Sequence, residues 1–156
     1  MRIAPAAVEA ARGRRASVLA LLTLMVGGCE ADAGPGEVKL GRDACENCGM
    51  IISDPRFVAE VRLADGKLHK FDDPGGAVNW LSRACVAPAD AKEFWVIDSA
   101  DGKSWLDARK AYYRAEATPM DYGFAAVAAA APDAIPFAAM REKVLKPQNA
   151  CKKGGA

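Results

Sequence analysis

Histidine is almost absent from this chain: His69 is the single one in 156 residues. A zinc centre of the usual four-ligand Cys/His kind therefore has little to draw on. No Gly-x-Ser-x-Gly elbow and no phosphate-binding glycine loop occurs, and His69 has no evident nucleophile partner, so no catalytic constellation is visible and the chain reads as a non-enzyme. Charge of one sign is missing too. Lys+Arg number 21 and Asp+Glu 20, and aromatic residues make up only 7% with no basic stripe among them, so the footprint of a nucleic-acid binder is lacking. Nor is there an apolar run of the roughly 20 residues that a bilayer-spanning helix needs. At 51% hydrophobic and 26% charged, the chain suits one ordinary folded domain.

What is present begins with an export signal. Arg12, Arg14 and Arg15 precede an uncharged apolar stretch over residues 16–26, about half a membrane span, which ends in Val26-Gly27-Gly28-Cys29. Two small residues directly before a cysteine look like a lipobox, so residues 1–28 are expected to be removed and Cys29 to be acylated as the first mature residue. The residues after Arg14-Arg15 do not follow the twin-arginine pattern. Cleavage lowers Lys+Arg from 21 to 17 and Asp+Glu from 20 to 19, leaving the mature chain at −2. Residues 29–36, small and polar with Pro and Gly, suit a flexible tether, and the folded domain is expected to begin near Glu37.

The body carries an internal repeat. Ala64-Asp65-Gly66-Lys67 returns as Ala100-Asp101-Gly102-Lys103, each after a β-rich run, and Asp-Gly between such runs predicts a hairpin. With a two-residue turn at Asp65-Gly66, Leu63 pairs with Leu68 and Arg62 with His69, which sets the imidazole on the face away from the leucines, beside a cation. Asp73-Pro74 supplies a cap and a first-turn proline for a helix over residues 75–85, with Val78, Leu81 and Cys85 at core spacing. Asp72 reads as part of the same capping. Residues 111–115 suggest a strand, residues 123–131 a short helix, and Phe137, Met140 and Val144 a last helix over residues 136–146. The expected class is α+β: two similar β-hairpin/helix lobes joined through residues 86–92, plus a C-terminal helix. Residues 148–156, with Cys151, read as a flexible tail.

Cys45-Glu46-Asn47-Cys48-Gly49-Met50 is where the chemistry gathers. A Cys-x-x-Cys-Gly turn can point backbone N–H groups at both sulfurs, with Gly49 leaving the turn at positive φ. Zinc knuckles, thiol oxidoreductases and copper sites all use this spacing. Zinc lacks a second pair here, and residues 37–43 are too polar for the buried strand that precedes a thioredoxin-type motif. Thiolates beside the Met50 thioether favour Cu(I), a soft ion matched by polarizable sulfur.

Cys45-x-x-Cys48-x-Met50, Ser53-Asp54-Pro55-Arg56-Phe57, Asp65-Gly66-Lys67, Phe71-Asp72-Asp73 and Thr118-Pro119-Met120-Asp121-Tyr122-Gly123-Phe124 together resemble, in order, the NosL family of nitrous oxide reductase accessory lipoproteins. The resemblance runs from the lipobox to about Ala131. It implies a lipid-anchored periplasmic Cu(I)-binding metallochaperone, with a copper-binding domain over residues 37–147 in lobes of about 37–87 and 92–147. Its partners would be a copper donor and the nitrous oxide reductase apoprotein, whose copper-sulfide centre it helps to supply; nucleic acid is not among them. Cys45, Cys48, Met50 and Met120 match the family's sulfur-bearing positions, and His69 is the remaining donor. Asn47 and Asp121 depart from the family pattern, which often has an aromatic residue and a glycine there. Thiol–disulfide chemistry at Cys45 and Cys48, or a structural zinc module, are the alternatives.

Overall fold

The structure, a computed structural model, describes residues 33–145; the signal segment, Cys29 and the tail with Cys151 lie outside them. After a single 3-10 turn at Pro55–Phe57 come β1 (Ala59–Arg62), β2 (Leu68–Phe71), α1 (Pro74–Arg83), β3 (Glu93–Ile97) and β4 (Trp105–Asp107). They are followed by β5 (Tyr112–Ala115), β6 (Phe124–Val127), β7 (Ala134–Pro136) and α2 (Phe137–Val144). All strand pairings are antiparallel, in one sheet of order β2-β1-β3-β4 and another of order β6-β5-β7. This is an α+β fold ending in a helix, as the sequence leads one to expect.

The two Asp-Gly turns do close hairpins, but not in separate lobes. β1 pairs with β3, Val61 standing opposite Phe94, so both hairpins merge into one four-stranded sheet and the chain returns from α1 to the sheet it left. An isolated hairpin is marginal in water. β1, buried at all four positions, gains its second paired edge only by this merger.

The first turn also differs from the simple two-residue form. Gly66 N–H donates to the Leu63 carbonyl and Leu63 N–H to the Lys67 carbonyl, and of the turn residues only Gly66 (φ 85°) has positive φ. That is a three-residue loop, a type I turn closed by a left-handed glycine. Register slips by one residue: Arg62 pairs with Leu68, and His69 lies opposite Val61 rather than Arg62.

Residues 123–131 are not helical either. Phe124–Val127 forms β6, laddered on β5 from Tyr112↔Val127 to Ala115↔Phe124. Alanine's helix preference, less than about 1 kcal/mol per residue, yields to a ladder that also buries Ala125 and Ala126.

α1 forms as its sequence suggests, with the Asp73 side chain accepting from Gly75 N–H and Pro74 in the first turn. Its inner face, Val78 and Leu81, meets Phe71, Val61 and Phe94 in the core. Cys85 does not join them. The helix ends at Arg83, and Cys85, at φ 59°, is exposed and disulfide-bonded. α2 adds Met140 and Val144, while Phe137 meets Phe94 edge-on at 5.7 Å.

The segment expected to be tether is partly docked. Gly36 N–H donates to Glu60 Oε2 (2.7 Å), Gly34 N–H to Glu93 Oε1 (3.0 Å), and Arg62 Nη2 to the Gly34 carbonyl (2.9 Å). A Cβ on Gly36 would fall 2.4 Å from the Leu68 side chain, so only glycine fits there without displacement. The folded body therefore starts by Gly34, because β1 offers it the buried Glu60 and Arg62 and β3 the half-buried Glu93.

Candidate metal centre

Residues 41–52 double back as a small hairpin that carries both thiols. Gly41 N–H donates to the Ile52 carbonyl, Ile52 N–H to Asp43, and Cys45 N–H to Met50, with an isolated bridge between Ala44 and Ile51. At its tip Gly49 N–H donates to the Cys45 carbonyl, and Gly49 takes φ 78°, the conformation the Cys-x-x-Cys-Gly pattern calls for. Glu46 N–H donates to the Lys70 carbonyl, and Lys70 Nζ meets Asp43 Oδ2 at 2.7 Å, so the loop is pinned along the free edge of β2. β2 then runs directly into Asp72.

Cys45 Sγ, Cys48 Sγ and an Asp72 carboxylate oxygen consequently lie within 4.8 Å of one another. Cys45 is buried and Cys48 half-buried. Asp72 Oδ2 stands 3.5 Å from Cys48 Sγ, and its Oδ1 is buried with no hydrogen-bond partner. Burial pushes the Cys45 thiol up to about 12, and the Asp72 carboxylate adds to this, while the backbone N–H groups of Asp72, Cys48 and Asn47 work the other way. The metal-free cluster keeps a proton on Cys45. A bound metal ion would displace it, since a coordinating thiol is deprotonated outright.

Asp72 is the residue that sequence reasoning passed over, grouped with Asp73 as capping. Asp73 alone supplies the N-cap of α1, while Asp72 turns to the thiol of Cys48.

The remaining expected donors are placed less uniformly. Met50 directs its N–H at Cys48 Sγ (3.5 Å), but the residue is 51% exposed. Met120 is half-buried in the loop before β6. His69 is buried, its ring 4.4 Å from that of Trp80; neither nitrogen makes a hydrogen bond, and Nδ1 is 3.5 Å from Glu46 Oε1. It is not on the cation-flanked exposed face that a two-residue turn implies, because it points at α1.

The loop bearing Met120 nonetheless reaches the thiol hairpin. Asn47 Nδ2, between the two cysteines, donates to the Tyr122 hydroxyl oxygen at 3.2 Å, and Asn47 also accepts from Arg83. Thr118 Oγ1 donates to Asp73 Oδ2, one residue from Asp72.

No family model and no curated protein matches this chain. Among solved structures it is similar to the crystal structure of the copper chaperone NosL from Shewanella denitrificans, with TM-score 0.53 and 17% identity over 70% of this chain and 89% of that one. The two share a fold. That likeness covers most of the copper chaperone's length.

Proposed function

We propose that this chain is a copper metallochaperone that holds Cu(I) at the Cys45–Cys48 hairpin and passes it on by ligand exchange, without performing catalysis. The observation that carries this reading is the convergence of two thiols and one carboxylate within 4.8 Å at the end of β2. The likeness of fold to a copper chaperone supports it. Copper is the cargo here. Two soft sulfur donors suit Cu(I), and a low-coordinate ion leaves a position open to an incoming ligand, so the metal need never be free.

In this reading the thioethers of Met50 and Met120 complete the sulfur set, and His69 is the nitrogen donor in reserve. Cys29 carries the lipid anchor on the periplasmic side of a bacterial membrane, and the recipient is nitrous oxide reductase during assembly of its copper-sulfide centre. A disulfide at Cys85 suits such an oxidising compartment. A thioredoxin-type nucleophile needs a lowered thiol pKa, and burial drives Cys45 the opposite way, which counts against the redox alternative.

Anaerobic purification followed by elemental analysis and Cu(I) competition against a chelator tests the reading. Cu(I) should bind with one or more equivalents retained, and Cys45→Ser or Cys48→Ser should abolish tight binding. Retention of zinc alone, with unfolding on its removal, would favour a structural zinc module instead. For the anchor, Cys29→Ala should move the protein from the membrane to the soluble fraction.

A further inference from the structure

Residues 118–123 meet the surroundings of the metal centre at two points, Asp73 next to Asp72 and Asn47 between Cys45 and Cys48. At one foot Thr118 Oγ1 donates to Asp73 Oδ2 and accepts from Gly123 N–H at 3.2 Å, closing the loop on itself. Asp121 N–H donates to the Thr118 carbonyl (3.0 Å), and Asp121 takes φ 57°, a left-handed conformation that a non-glycine residue adopts at some cost.

At the other foot the Tyr122 ring rests on the first turn of α1. A Cβ on Gly75 would lie 2.3 Å from Tyr122 Cβ and 2.7 Å from its Cγ, and one on Gly76 would lie 3.7 Å from Cε2. Two glycines in a helix cost about 1 kcal/mol each relative to alanine. Here the first leaves space that the tyrosine fills. From that seat the Tyr122 hydroxyl accepts from Asn47, the residue flanked by Cys45 and Cys48. Met120 lies between the two feet. One foot stands beside Asp72 and the other inside the thiol hairpin, so the loop spans the two segments that carry the cluster's donors.

We propose that residues 118–123 form a clasp on the thiol–carboxylate cluster, with Thr118 and Tyr122 as positioning residues that hold the Met120 loop against the Cys45–Cys48 hairpin. This rests on the metal-binding reading of that cluster. Held at both feet, the loop is preorganised to bring a thioether to a Cu(I) ion already on the thiols. Breaking the Asn47–Tyr122 bond frees one foot and lets the thioether leave before the thiolates, so the clasp sets the rate at which copper is given up.

Tyr122→Phe is the informative variant, because it keeps the ring on Gly75 and deletes only the hydroxyl. In metal-free protein, the thiol pair of Tyr122→Phe should react with iodoacetamide several-fold faster than the parent's at unchanged circular dichroism; an unchanged rate overturns the clasp. With Cu(I), Tyr122→Phe should lose about tenfold in affinity against bicinchoninate and release the ion faster. Combined with Met120→Ala it should lose no more than Met120→Ala alone, whereas additive losses overturn a positioning role. Thr118→Ser should preserve binding that Thr118→Val weakens. Should the parent bind Cu(I) no better than Cys45→Ser, the copper reading fails, and the alkylation rate still decides the clasp.

Discussion

Asp72 Oδ2 stands 3.5 Å from Cys48 Sγ, and its second carboxylate oxygen is buried without a partner. A buried acid held this way beside thiols places a hard donor in a soft site. Cu(I) gains little from a carboxylate oxygen, whereas a borderline divalent ion such as Zn(II) gains a good deal. Asp72→Asn keeps the shape and removes the charge. Parallel competition titrations should show Cu(I) affinity held within about threefold while Zn(II) affinity falls by more than about tenfold. Equal losses for both ions would remove Asp72 from the selectivity argument.

The proton held by Cys45 makes metal affinity depend on pH. With the thiol pushed up to about 12, this site is protonated throughout the neutral range, and each bound metal ion must displace that proton. Raising the pH lowers the cost of displacement. Apparent Cu(I) affinity should therefore climb about tenfold per pH unit on account of Cys45, continuing past about pH 9, since the slope ends only near the thiol's own pKa. A flat dependence between about pH 6 and 8 would mean that Cys45 is not a thiolate ligand.

The two methionines separate copper binding from disulfide exchange. Met50→Ala and Met120→Ala should each weaken Cu(I) binding on the order of tenfold, about 1.4 kcal/mol, and leave the melting curve close to the parent's, since Met50 is half exposed. Cys45→Ser and Cys48→Ser should cost more, because a charged ligand is lost. Chelator competition beside calorimetry reads both quantities. Parent-like affinity in both methionine variants, with thiol–disulfide activity abolished by either cysteine change, would transfer the site to redox chemistry.

Glu60 is fully buried in β1, with Oε2 accepting from Gly36 N–H and Oε1 unpartnered. Burial raises its carboxyl above the ordinary value. A folded-state pKa above the unfolded one means that this group's contribution is fully present below the unfolded value and is lost as pH rises through the folded value. Glu60→Gln escapes that loss. Denaturant unfolding of the two proteins from about pH 4 to about pH 7 should show the variant gaining stability relative to the parent as pH increases. Glu60→Ala deletes the acceptor for Gly36 as well, at a cost of about 1–3 kcal/mol, and should expose residues 34–37 to limited proteolysis. If those residues stay protected in Glu60→Ala, Arg62 and Glu93 suffice to hold the segment.

Local chemistry made several features legible in the sequence. The Cys45-x-x-Cys48-Gly49 turn, the Asp73-Pro74 start of α1, the Asp-Gly hairpin ends and the 137/140/144 face of α2 all follow from a few neighbouring residues with strong backbone preferences. These preferences act within one turn and need no partner from elsewhere in the chain. Other features were decided only by the assembled structure. The register that turns His69 inward depends on a loop one residue longer than the shortest Asp-Gly turn, a choice local sequence leaves open. β6 replaces a helix because β5 offers a ladder that alanine-rich local preference cannot outweigh. The joining of both hairpins in one sheet hides β1, and the contacts of Asp72 with Cys48 and of Tyr122 with Asn47 span 24 and 75 residues of chain. Contacts at such separation leave no periodic trace, because packing and hydrogen bonding act through space while sequence patterns record only neighbours along the backbone.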